Sequence, residues 1–143
     1  MTTDPGSIEF KVTDDARLVA AVGPIVSHAS ERAGLPESVQ KGFAEAAVDA
    51  CRETFPLLNG NDSTIKLIVA DYPDRVEVTI EHSGEPLPSA GLDTFIFGAT
   101  DGTAPKISAA LLNTNVDRVK YETCEGRSRT ILIKYLDGHR PKD

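Results

Sequence analysis

Residues that commonly hold metals, form redox pairs or drive export are scarce in this chain. Of its 143 residues only two are cysteine and three histidine. Cys51 and Cys124 stand far apart with no CxxC spacing, which reads as two reduced, structural thiols rather than a zinc site or a redox pair. His28, His82 and His139 are scattered and make no metal-ligand spacing. Basic residues are in deficit, 15 Lys and Arg against 22 Asp and Glu, for a net charge of −7. With a sequence pI near 4.9 and no basic patch interleaved with aromatics, the chain is expected to be repelled by nucleic acid and by anionic membrane. No apolar run approaches the roughly 18 residues a spanning helix needs, and Met1-Thr2-Thr3-Asp4-Pro5 does not read as a secretory leader. The expectation is a cytoplasmic protein without direct contact to nucleic acid or membrane. Neither an internal repeat nor a nucleophilic Ser/His/Asp spacing nor a glycosidase-like carboxylate pair is found.

What the chain does have is Phe43-Ala44-Glu45-Ala46-Ala47-Val48-Asp49-Ala50-Cys51-Arg52, two carboxylates four residues apart in a run of mostly strong helix formers. Like charges at that spacing on a helix repel by a few tenths of a kcal/mol, so Glu45 and Asp49 call for a metal ion or for basic side chains. Lys41 lies four residues before Glu45 and Arg52 three after Asp49, so a self-paired, solvated helix face answers the requirement as well as a ligand does.

The pattern around this run describes one domain over residues 1–143. Ile8, Phe10 and Val12 alternate as in a half-buried edge strand. Thr13-Asp14-Asp15 offers an N-cap, and Leu18, Val22, Ile25, Ala29 and Ala33 fall at helical spacing. Gly23-Pro24 inside that pattern predicts a kink or a break, since an interior proline costs about 3 kcal/mol. Gly34 suits a C-cap, and Pro36-Glu37 opens a second helix that runs to Thr54, with Ala46, Ala47 and Ala50 small enough for close approach to a sheet. Asn59 to Asp62 is turn chemistry. Ile65, Leu67 and Val69, then Val76, Val78 and Ile80, alternate on either side of Tyr72-Pro73-Asp74 and predict an antiparallel hairpin. From His82 to Pro105 seven residues are Gly or Pro, as in a lid or binding loop, with Phe95 and Phe97 in its apolar centre reading as a core plug or a docking patch. A third helix is expected from about Ala104 to Asn113, a second hairpin from Val116 to Tyr121 and Thr130 to Leu136, and a tail over 137–143. The fold class that follows is an α/β (α+β) sandwich: a mixed, mostly antiparallel sheet with about three helices on one face.

In order and spacing the chain resembles the anti-sigma factor serine kinases, a branch of the GHKL (histidine-kinase-like) ATPases with the Bergerat fold. Glu45-Ala46-Ala47-Val48-Asp49-Ala50 is similar to that family's Glu-Ala-x-x-Asn-Ala box, Ile8 to Pro36 to its opening, and Val116 to Leu136 to its closing strands. The resemblance implies ATP and Mg²⁺ as cofactors, Glu45 as the catalytic group and Asp49, in place of the asparagine, as the Mg²⁺ ligand. Other boxes depart from the pattern. His82-Ser83-Gly84-Glu85-Pro86 stands where Asp-x-Gly-x-Gly is usual, so the aspartate that accepts from the adenine amino group is replaced by His82, and Pro86 has no N–H to offer. The last glycine box aligns with Lys106-Ile107-Ser108-Ala109, with Gly102 nearby. His82, Gly84, Gly102 and Ser108 thus outline a degenerate nucleotide site. Three functions follow: an anti-sigma-like regulator that binds a sigma factor or an anti-anti-sigma factor with ATP binding weakened or lost; an active ATP- and Mg-dependent serine/threonine kinase; and a fold retained for an unrelated small-molecule role. Homodimerisation stays open.

Overall fold

The computed structural model describes residues 6–58, 64–83, 115–124 and 126–136. These form β1 (Gly6–Thr13), α1 (Ala16–Ala33), α2 (Glu37–Thr54) with a 3-10 turn at Phe55–Leu57, β2 (Thr64–Asp71), β3 (Arg75–Ser83), β4 (Arg118–Cys124) and β5 (Arg127–Tyr135). One five-stranded sheet in the order β1-β2-β3-β5-β4 carries them, and all four pairings are antiparallel. The expected mixture with parallel pairing is therefore absent from the described strands. Each strand turns back beside a neighbour, and no described connection runs between parallel strands. The class is α+β, with two helices described. The expected third helix, the lid-like segment with Phe95 and Phe97, the Asn59 turn and the tail lie outside the described residues.

The period-2 alternation does what it predicts. Ile65, Leu67, Val69, Val76, Val78, Ile80 and Leu132 are all fully or almost fully buried in one cluster with Val12 and the helices. The register sets Leu67 opposite Ile80 and Val78 opposite Leu132, so the cluster is a set of cross-strand pairs on one face. Tyr72 and Arg75 close the β2–β3 hairpin by backbone bonds, Tyr72 N donating to Arg75 O at 2.8 Å. In the second hairpin Gly126, at φ 79°, takes the left-handed conformation that a side chain resists.

α1 begins at Asp15, whose carboxylate accepts from Arg17 N at 2.8 Å, and ends at Gly34 with φ 101°. Both caps are where the sequence puts them. The kink or break expected at Gly23-Pro24 is not a break: α1 is continuous through Pro24. Its buried face is also turned from the expected line. Val19, Val22, Val26, Ala29 and Ser30 are buried, whereas Leu18 is 40% exposed and Ile25 only half-buried. Val22 and Ala29 are buried as expected, while Val19 and Val26 take the places expected of Leu18 and Ile25, because the buried arc is set by packing of α1 against both the sheet and α2.

α1 is the helix whose backbone comes close to β1, β2 and β3. α2 approaches α1 and adds Phe43, Ala47, Ala50 and Cys51 to the same core. Burial pushes the Cys51 thiol up to about 12, so it stays protonated and serves as packing. On its far side α2 carries Gly42, where an added Cβ would lie 2.5 Å from Asn115 Oδ1.

The outer face of the sheet is a charge ladder around an apolar centre. Ile131, Ile133 and Ala70 are buried there, outside the core cluster. Glu81, 3% exposed, accepts from Arg127 and from Arg129 Nε, the latter at 2.8 Å. Burial raises the Glu81 pKa, and the two guanidiniums outweigh it, holding the carboxyl below its ordinary range. The sign follows: stability from this clamp is present at neutral pH and is lost as pH falls through the carboxylate range.

Two predictions come from these contacts. Glu81→Gln should lower unfolding free energy at pH 7 by about 1–3 kcal/mol in urea titrations and flatten the loss of stability between neutral and acid pH; an unchanged acid limb would remove the clamp from the account. Gly42→Ala should destabilise the wild-type chain but stabilise an Asn115→Ala background by about 0.5–1 kcal/mol, since the helix preference for alanine then meets no side chain.

Candidate functional site

Glu45 and Asp49 do not point into the core. α2 buries the line Phe43, Ala47, Ala50 and Thr54, and the opposite arc of the helix carries the charges. They open into a groove of about 590 Å³ between the two helices, with Gly23, Pro24 and Ser27 from α1 facing Lys41, Ala44, Glu45, Val48, Asp49 and Arg52 from α2. Gly23 makes the groove possible. A side chain there would fill space that now ends at Val48, whose Cγ2 is 3.5 Å from the position of an added Cβ. Pro24 lines the same wall. It has no N–H to donate to the carbonyl four residues back, so α1 is weakened on this stretch.

The electrostatics are unequal along the groove. Asp49, with 38% of its side chain exposed, is paired with Arg52 Nη1 at 3.3 Å. Glu45 and Lys41, both exposed, form no ion pair with each other or with any other described residue. The order Lys41 before Glu45 is the weaker orientation for an i,i+4 pair, which accounts for their separation. The self-paired helix face expected from the sequence is thus present for Asp49 and not for Glu45.

His82 sits elsewhere. It lies at the end of β3 on the core-facing side, 8% exposed, directly opposite Ser128 of β5. His82 is not part of the groove lining, so the structure does not bring it together with Glu45 and Asp49 in one pocket. Gly84, Gly102 and Ser108 lie outside the described residues. Around His82 the core face turns polar: Ser128 and Thr130 are buried, and Ser128 Oγ has no hydrogen-bond partner among the described residues. The sequence analysis did not single out Ser128, although its alternation with Thr130 and Leu132 puts it on that face.

Mg²⁺ takes octahedral oxygen donors, commonly one or two carboxylates completed by water; of the two α2 carboxylates Asp49 shares an exposed ion pair with Arg52 and Glu45 has none among the described residues. Among the described residues no three His, Cys, Asp or Glu side chains gather as a metal-binding group. No helix among them is long and apolar enough to cross a membrane. Compared with protein-family models and with curated proteins, the chain finds no match in either.

Asp49→Asn should change stability by less than about 0.5 kcal/mol, because it removes one exposed ion pair and one like-charge repulsion of similar size. Urea unfolding checks this; a loss above about 1 kcal/mol would mean that Asp49 carries a structural load the groove geometry does not contain.

Proposed function

We propose that the chain is an anti-sigma-factor-like regulatory protein that acts by binding a protein partner, a sigma factor or an anti-anti-sigma factor, with nucleotide binding weakened or lost. The observation that carries the reading is that Glu45 and Asp49 open into the α1–α2 groove, whose lining does not include His82, a residue buried on the core face of the sheet. Phosphoryl transfer depends on positioning and charge neutralisation by parts that act together, and separated parts do not supply it. Asp49 already has its cation in Arg52. The element order, a strand, two helices, a hairpin and a closing hairpin, supports the same family-like arrangement. Fold-level likeness alone does not select a function, so the site carries the argument.

Two measurements test it. Calorimetric titration of the full chain with ATP and Mg²⁺ should give no saturable heat in the micromolar range; the lost charge-assisted bond to adenine alone removes about one to two decades of affinity. Micromolar binding of Mg·ATP would replace this reading with that of an active serine/threonine kinase. Pairwise binding to the purified sigma factors and anti-anti-sigma factors of its own bacterium should then find a partner at about micromolar affinity or tighter, and failure against all of them would overturn the regulatory reading.

A further inference from the structure

The α1–α2 groove combines a small-residue floor with an unequal set of charges. Gly23 and Ala44 have almost no side chain, and Val48 adds an apolar wall. Two helices packed side by side leave a furrow into which the ridge of a third helix fits, and small floor residues let it come close. Beside that floor stand the Lys41 ammonium and the Glu45 carboxylate, four residues apart on α2 and without ion-pair partners among the described residues. Asp49, the next carboxylate along, is held by Arg52 and offers less.

We propose that this groove docks an amphipathic helix of the protein partner, one that presents an apolar residue to Gly23, Ala44 and Val48 and, four residues apart on the same face, one acidic residue for Lys41 and one basic residue for Glu45. The inference rests on the reading of the chain as a protein-binding regulator and adds which surface binds and what it recognises. The spacing is set by the helix itself. Residues i and i+4 lie on one face about 6 Å apart along the axis, so a helix laid along α2 meets Lys41 and Glu45 with two of its own side chains at that same interval. An arginine suits the Glu45 side, since its planar fork can bind a carboxylate with two hydrogen bonds. Charge sign decides which helices fit, while the apolar contact supplies the area.

The net charge of −7 makes the test discriminating, because attraction to the whole chain favours any basic peptide over a mixed one. Three fluorescein-labelled, alanine-based helical peptides share one leucine stripe and differ at two positions four apart: Glu with Arg, Arg with Arg, and Glu with Glu. Anisotropy titrations of the full chain should show the mixed peptide binding about tenfold tighter than either like-charged one. Lys41→Glu should transfer the preference to the Arg/Arg peptide, and Glu45→Lys to the Glu/Glu peptide. Both substitutions are at exposed helix positions, and circular dichroism confirms that each variant is folded before titration. Equal affinities for the three peptides, a wild-type preference for Arg/Arg, or no binding of any of them would overturn the proposal. Those outcomes leave the sigma-factor and Mg·ATP measurements untouched, so the groove assignment and the regulatory reading fail separately.

Discussion

Everything else in the described structure depends on one apolar layer, the cross-strand rows of β2, β3 and β5 against which α1 lies. Ile65, Leu67, Val69, Val76, Val78, Ile80 and Leu132 present a continuous surface because antiparallel register keeps residues of one parity on one face. A slip of one residue in β3 would turn Val76, Val78 and Ile80 outward and bring Glu77, Thr79 and Glu81 into the core. At about 1.5–3 kcal/mol for each large apolar side chain buried, no surface charge pair competes with that term.

The second helix packs beside the first and shares its core with the sheet, and the candidate site follows from that placement. α2 packs against α1 and adds Phe43, Ala47, Ala50 and Cys51 to the core that the sheet residues also form. Its charged arc is then left beside α1 instead of over the sheet. Glu45 and Asp49 border a groove between helices, while His82 and Ser128, paired across β3 and β5, are buried on the core face of the sheet and do not line it. The furrow is concave and of mixed charge, and among the described residues no three His, Cys, Asp or Glu side chains gather as a metal-binding group.

The outer sheet face illustrates how the same ladder accommodates charge. Glu9 with Lys66 at 3.1 Å and Glu81 with its two arginines pair opposite signs across strands, and Arg75 with Glu77 at 2.6 Å does so along β3. Opposite charges across neighbouring strands are favourable there, and the long stems of arginine and lysine can lie along apolar neighbours while their heads stay in water. Among the described charges of this face only Glu81 is deeply buried, and it has two cationic partners. That matches the rule that a buried charge is tolerated when paired and hydrogen-bonded.

The sequence by itself determined the local features: the alternation of the strands, the Asp15 and Gly34 caps, the extent of α2 from Glu37 to Thr54, and the Tyr72 turn. These rest on periods of 2 and 3.6 residues and on backbone preferences that act within a few residues, so they can be read from neighbours in the chain. It was less informative about phase and pairing. Leu18 and Val19 satisfy the same helical period, and only the packing of α1 against the sheet and α2 decided that Val19 is buried. Pro24 reads as a break locally, yet the helix continues, because packing on both sides outweighs the lost hydrogen bond. The tertiary structure alone decided that β5 lies between β3 and β4, that Glu81 finds arginines far away in sequence, and that Glu45 lines the groove while His82 does not. Those facts depend on which faces meet in three dimensions, and charge patterns spaced along a chain contain no record of it.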